Sequence, residues 1–223
     1  MKQTIDIDGL KCHCTSSSGK NGITYILYPA DTLDAWAETA AEKFGVTIVV
    51  ITGMGWQNVF SPWAAPGVPE GSPDFKGQSR EFLHRMQNVI VPRVESSLGF
   101  DNGVERTLVG VSMSGLFALW QWMICDTFVN IASLSGSFWY MGFLDWLKSY
   151  PIPSKAGRGY FLLGDKESSS KIKAFQQVEA ATRDIVAMLA DAGIDVEFQS
   201  VPGNHFSDPL PRLEKALSAI YRH

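Results

Sequence analysis

The sequence predicts an α/β protein built on a mostly parallel sheet with helices on both faces. Three observations predict it. Strand-like runs alternate with helix-like runs along most of the chain. Val46-Thr47-Ile48-Val49-Val50-Ile51 is apolar and β-branched throughout, as expected of a central strand covered on both sides. No repeat, low-complexity tract or linker divides the 223 residues, so residues 1–223 are expected to form one domain.

The elements follow in order. Residues 3–14 and 23–28 read as strands around the turn-rich segment Ser16-Ser17-Ser18-Gly19-Lys20-Asn21-Gly22. A helix over 31–44, capped by Asp31 or Thr32, stops at Gly45, and the central strand follows. From Gly53 to about Gly77 the chain is rich in Gly, Pro and Trp, a loop length that is uncommon in compact domains and often functional. A helix over 78–97 is expected to be kinked or interrupted at Pro92. Residues 106–110 are a strand, 115–125 an almost wholly apolar helix, and 128–134 and 159–164 two further strands. A helix then places Ile172, Phe175, Val178, Thr182, Ile185 and Leu189 on one face and ends at Gly193. A strand over 195–201 and a helix over 209–221 complete the pattern.

Composition narrows the function. The net charge of −4 comes without a Lys/Arg cluster, which argues against nucleic acid as a partner. No apolar run approaches the roughly 20 residues that span a bilayer, so no membrane partner is expected. The N-terminus carries Asp6 where a signal peptide would be apolar, so a cytoplasmic location is the default. The odd count of three cysteines gives no disulfide framework. Cys12-His13-Cys14 puts its cysteines on one strand face and its histidine on the other, which suits ordinary strand residues better than a metal site.

Gly110-Val111-Ser112-Met113-Ser114-Gly115 lies between an apolar strand and an apolar helix. That is the setting of a nucleophile elbow, a sharp turn that needs small residues two positions either side of its serine. Gly110 fits the pattern; Ser114 stands where glycine is usual, and Gly115 is positioned to relieve the crowding. The Met113 N–H, at a helix start, is a candidate donor to an oxyanion. A second donor is expected from Gly53-Met54-Gly55-Trp56, with Gly55 and Trp56 the candidates.

An α/β-hydrolase presents Ser, acid and His in that chain order. His13 and His84 precede Ser112 and His223 is terminal, leaving His205, in Pro202-Gly203-Asn204-His205-Phe206 after the last expected strand, as the base. Gly164-Asp165-Lys166-Glu167 offers two acids: Asp165 beside the strand end, and Glu167 at the spacing favoured for this fold. Either could orient His205, the other could order the turn or cap a helix, and a Ser–His dyad would need neither.

At this point a resemblance enters. Residues 110–119, G-V-S-M-S-G-L-F-A-L, resemble the esterase D-like branch of α/β-hydrolases, which includes S-formylglutathione hydrolases and trilactone siderophore esterases. Ser133-Leu134-Ser135-Gly136-Ser137-Phe138-Trp139-Tyr140, Leu163-Gly164-Asp165-Lys166-Glu167 and the His205 segment match as well. Trp56-Gln57 and Ser61-Pro62-Trp63 resemble a related group of small bacterial hydrolases. The likeness covers most of the chain from Val46 onward.

The resemblance implies ester hydrolysis without metal or cofactor, on a sheet lacking a large cap domain. By position it makes Ser112 the nucleophile, His205 the base, Glu167 or Asp165 the acid and the Met113 N–H an oxyanion donor. Ser135 is assigned to the pocket wall. Trp56, Phe60, Trp63, Phe138 and Trp139 are candidate walls, with Trp63, Trp139 and Ser137 expected to contact substrate and an apolar or aromatic acyl group favoured. The expected partner is a small-molecule ester, with self-association into a homo-oligomer left open. A thioesterase or acyltransferase would use the same residues, and a binding protein on this fold is a rival of another class.

Overall fold

The computed structural model describes residues 1–19, 22–100 and 103–221. Lys20 and Asn21 of the first turn, and His223, lie outside the described residues. Strands β1 (Lys2–Ile7) and β2 (Leu10–Thr15) form an antiparallel hairpin with Ile7 opposite Leu10. The single strand expected over 3–14 is therefore broken at Asp8-Gly9, where both residues take positive φ (52° and 82°). That dipeptide is the strong hairpin signal its backbone conformation requires, hidden in the sequence by the apolar alternation running through it.

The chain continues with β3 (Ile23–Leu27), α1 (Asp34–Phe44), β4 (Thr47–Thr52) and the single turn α2 (Trp56–Val59). Helix α1 starts three residues later than expected, at Asp34, with Leu33 at the N-cap position and no side-chain cap, while Asp31 lies 3.7 Å from the Lys11 Nζ. The long loop holds a small ribbon, β5 (Ala64–Ala65) with β6 (Phe75–Lys76). Next come α3 (Ser79–Arg85), a π turn (Met86–Ile90) and α4 (Val91–Leu98). The π turn ends two residues before Pro92, so the expected interruption takes the form of a widened turn that absorbs the missing N–H.

The second half runs β7 (Arg106–Val111), α5 (Met113–Ile124), β8 (Asn130–Leu134), α6 (Phe143–Ser149) and β9 (Arg158–Gly164). After two 3₁₀ turns (Glu167–Ser169 and Phe175–Gln177) it ends with α7 (Val178–Asp191), β10 (Asp195–Val201) and α8 (Leu210–Ile220). Helix α6 has no counterpart in the sequence reading, because its start carries Gly142 in a left-handed conformation in place of a side-chain cap. The long helix expected through Ile172 and Phe175 begins only at Val178, which releases those two side chains for another use.

The sheet order is β1-β2-β4-β3-β7-β8-β9-β10, with β1 and β2 antiparallel and the other six strands parallel. Every residue of β3 and β4 is buried, as strands covered on both faces require. One face packs α1 and α8 through Ala37, Ala41, Leu213 and Leu217; the other carries the aromatic-rich cluster of α3 to α7. Helix α5 is apolar all round because all but Ile124 of its residues are buried. Cys12 and Cys14 face the core, and burial pushes their thiols up to about 11 and 12. Among the described residues, no helix is long and apolar enough to cross a membrane.

The chain moves outward in one direction through β3 and β4 and in the other through β7 to β10. The order therefore reverses between β3 and β7, which opens a crevice beyond the strands' carboxyl ends.

Candidate active site

Strand β7 delivers Ser112 into that crevice with φ 57° and ψ −120°, a conformation costing an L-residue about 1–3 kcal/mol. The neighbours explain how the turn closes. A Cβ at position 110 would lie 2.0 Å from the Ser114 carbonyl oxygen, so only glycine fits there. Ser114, the departure from the usual pattern, is fully buried, and its Oγ accepts the Val111 N–H at 2.7 Å. The same hydroxyl lies within donating distance of the Val111 and Leu27 carbonyls (2.9 and 3.1 Å). It thus ties the elbow to the end of β3, which glycine could not do. The close approach passes to Gly115, where a Cβ would meet Ser133 Oγ at 2.8 Å and Gly136 Cα at 3.0 Å.

Ser112 Oγ stands 3.0 Å from His205 Nε2, and His205 Nδ1 stands 2.9 Å from Glu167 Oε2. A carboxylate accepts only, so Nδ1 carries the proton and Nε2 is free to accept from the serine. Glu167 is reached because the 3₁₀ turn after β9 folds it back on the strand end, where its Oε1 accepts the Gly164 N–H at 2.8 Å. The same oxygen accepts from Ser135 Oγ (2.7 Å) and Arg212 Nη1 (3.0 Å). Burial pushes the Glu167 carboxyl up, but hydrogen bonds from His205, Ser135 and Gly164 outweigh it and hold the group below its ordinary value.

Asp165 does not reach His205. It follows the strand end directly, and its Oδ1 accepts the Gly203 N–H at 2.9 Å, pinning the acid loop to the histidine loop. Lys166 N–H adds a second tie to the Gly203 carbonyl at 3.0 Å. Of the two candidate acids, the structure brings only Glu167 to the imidazole.

Two supporting residues differ from the sequence reading. Ser135 borders the cavity, and at φ 52° it also turns its hydroxyl onto Glu167. Arg212 escaped notice altogether. It is 6% exposed on α8 and donates to Ser135 Oγ (2.5 Å), to Glu167, and to the Asn204 carbonyl (2.7 Å). Its signal was a charge on the same helix face as Leu213, Ala216 and Leu217, where an apolar residue is expected.

Met113 is the first residue of α5, and Trp56 the first of α2 with Gly55 before it, so the Met113 and Trp56 N–H groups have no partner within their own helices. The Gly55 carbonyl accepts from Asn58 and Val59, closing that turn. The Trp56 side chain borders a cavity with Ser112 and His205. Ser137 Oγ lies 3.3 Å from Ser112 Oγ, and its N–H donates to the Ser112 carbonyl at 3.1 Å.

Cavities of about 640 and 440 Å³ meet at Ser112. The larger is walled by Trp139, Ile172, Phe175 and Val178, the smaller by Tyr28, Pro29, Trp56 and Pro209. Trp139 lines the larger and Trp56 the smaller. Trp63 lines neither: its indole packs among Tyr140, Phe143 and Trp146 and donates to the Met141 carbonyl. Phe60 and Phe138 are core residues, packed against Phe82 and Phe117 in one case and Phe143 and Phe161 in the other. Ile172 and Phe175, expected in a helix face, supply walls instead because α7 begins only at Val178, after a loop and a single 3₁₀ turn.

Comparison with known proteins is consistent with this geometry. The family model described as "Putative esterase" matches residues 8–209. The protein resembles the uncharacterized protein YbbA of Bacillus subtilis, 22% identical over 161 residues. That match covers 70% of this chain and 64% of the relative, so the chain spans less than two thirds of that protein. Among solved structures, an IroE-like serine hydrolase from Shewanella oneidensis matches with TM-score 0.82 at 17% identity, covering 100% of this chain and 80% of that one. The BES protein from Bacillus cereus matches with TM-score 0.75 at 20% identity (100% and 96%). The siderophore hydrolase EstA from Aspergillus nidulans matches with TM-score 0.79 at 16% identity (99% and 93%). These likenesses establish the α/β-hydrolase fold, and the family match over residues 8–209 places the chain in the esterase family.

Proposed function

We propose that the protein is a serine carboxylic-ester hydrolase acting through an acyl-Ser112 intermediate. The observation that carries the reading is the chain of hydrogen bonds from Ser112 Oγ through His205 to Glu167, starting at a strained elbow. His205 Nε2 takes the hydroxyl proton as Ser112 Oγ bonds to the ester carbonyl carbon. Glu167 steadies the imidazolium. The Met113 and Trp56 N–H groups are assigned to the developing oxyanion. The tetrahedral species collapses, the carbon–oxygen bond to the alcohol breaks, and the leaving oxygen receives the proton from His205. Water, deprotonated by the same histidine, then attacks the acyl-enzyme, and free acid and Ser112 result.

The three cysteines are all unpaired, which supports a reducing compartment such as the cytoplasm.

The test is labelling by a fluorophosphonate probe. Wild type is expected to label stoichiometrically and Ser112→Ala not at all, with loss of p-nitrophenyl ester hydrolysis. An unlabelled wild type, or equal labelling of the variant, overturns the reading.

A further inference from the structure

We infer that the site takes esters carrying a bulky group on each side of the scissile bond, one seated in each of the two cavities that meet at Ser112. The inference rests on Ser112 as the attacking group and extends it to the form of the substrate.

The two cavities share Ser112, Ser135, His205 and Phe206 and diverge from there. Each falls within the roughly 300–1,000 Å³ of a complete small-molecule site. An ester carbonyl held at Ser112 Oγ projects its acyl chain and its alkoxy group in two directions. A small acyl group such as acetyl, or a methyl alcohol, would leave one lobe filled with water against apolar walls.

The walls differ in kind. In the larger lobe Trp139 and Phe175 stand with ring centroids 4.6 Å apart, beside Ile172 and Val178, and this surface suits a flat apolar or aromatic group. The smaller lobe presents Tyr28, Pro29 and Pro209, rigid side chains suited to a compact group. Phe206 stands at the seam. Its ring is 92% exposed and meets the His205 ring edge-on at 5.3 Å. A phenyl left in water where both cavities open gains burial when a ligand fills either side, so it adds apolar contact to both halves of one substrate.

The test is a matrix of esters varied independently in acyl and alcohol size, read as kcat/KM. In wild type, enlarging either side from two carbons to a phenyl-bearing group is expected to raise kcat/KM about tenfold or more, the lower end of what a hydrophobic pocket yields per group. Trp139→Ala should flatten the dependence on one side only, and Tyr28→Ala the dependence on the other. Ile172→Ala serves as a second larger-lobe variant should Trp139→Ala fold poorly, which thermal melting reports. Rates insensitive to one side, or both lobes' variants acting on the same side, overturn the inference. Wild-type fluorophosphonate labelling, run in parallel, separates that failure from a failure of Ser112 as nucleophile.

Discussion

Arg212→Met removes the guanidinium behind Glu167 while keeping much of the side chain's volume. Arg212 is buried and bonds Glu167 Oε1, Ser135 Oγ and the Asn204 carbonyl, so it joins the acid loop to the histidine loop. Removing one partner of a buried ion pair costs roughly 3–5 kcal/mol. Glu167 keeps three donors, from His205, Ser135 and Gly164, so the expected loss sits at the low end, about 3 kcal/mol. In a chain of this size that lowers Tm by roughly 6–12 °C. Activity should fall as well, because a small displacement of His205 relative to Ser112 is amplified in rate; a loss of about 10- to 100-fold in kcat/KM is expected.

The pH dependence gives an independent readout. Glu167 titrates below its ordinary value of 4.5 in the folded chain, so its contribution is complete above that value and disappears as pH falls through the lowered one. Without the adjacent cation its folded value moves upward, and the acid-side decline of Tm should begin at a higher pH than in wild type. Melting followed by circular dichroism from pH 7 down to pH 3, with ester turnover at pH 7, measures all three effects. A variant melting within 1 °C of wild type, with unchanged turnover and an unmoved acid limb, would refute the reasoning. In a double-mutant cycle with Glu167→Gln the two losses should be less than additive, since both remove one interaction.

Two further outcomes separate the roles around Ser112. Glu167→Gln should lower kcat on the order of 10³-fold or more, since an amide cannot stabilise the imidazolium. Asp165→Asn should leave kcat within about threefold, because its amide oxygen can still accept the Gly203 N–H; steady-state kinetics on one ester decides both. Phe206→Ala should leave Tm within about 1 °C, as expected of an exposed residue, yet raise KM severalfold for phenyl-bearing esters. An unchanged KM for those esters would remove Phe206 from the binding surface.

Much of the architecture was legible because it rests on local pattern. The runs at Val46–Ile51 and Arg106–Val111 announce buried strands through their own composition, and Gly45 and Gly193 end helices by their own backbone freedom. The serine and histidine of the site were legible for a related reason, since each sits where a strand ends and chain order limits the choice. What escaped depends on partners distant in sequence. Glu167 and Asp165 are two residues apart, and only the turn that brings Glu167 Oε1 onto the Gly164 N–H tells them apart. Arg212 touches Ser135 across 77 positions, a contact no local pattern encodes. The tryptophans divide the same way: Trp63 and Trp139 are alike as sequence, and tertiary packing alone sends one into the aromatic core and the other to the cavity.

Among the described residues β10 pairs only with β9, and of its seven residues only Val201 is buried, yet the loop it carries holds His205. Ser112 belongs to the middle of the sheet and His205 to its margin, so the two sit in regions of unequal local stability. Local opening of that margin would part imidazole from hydroxyl while β3, β4 and β7 stay intact. Ester turnover is then expected to be a more sensitive thermometer than ellipticity, fading on warming before the bulk of the molecule melts. The Arg212 contact to the Asn204 carbonyl limits how far ahead of the melt that loss can run.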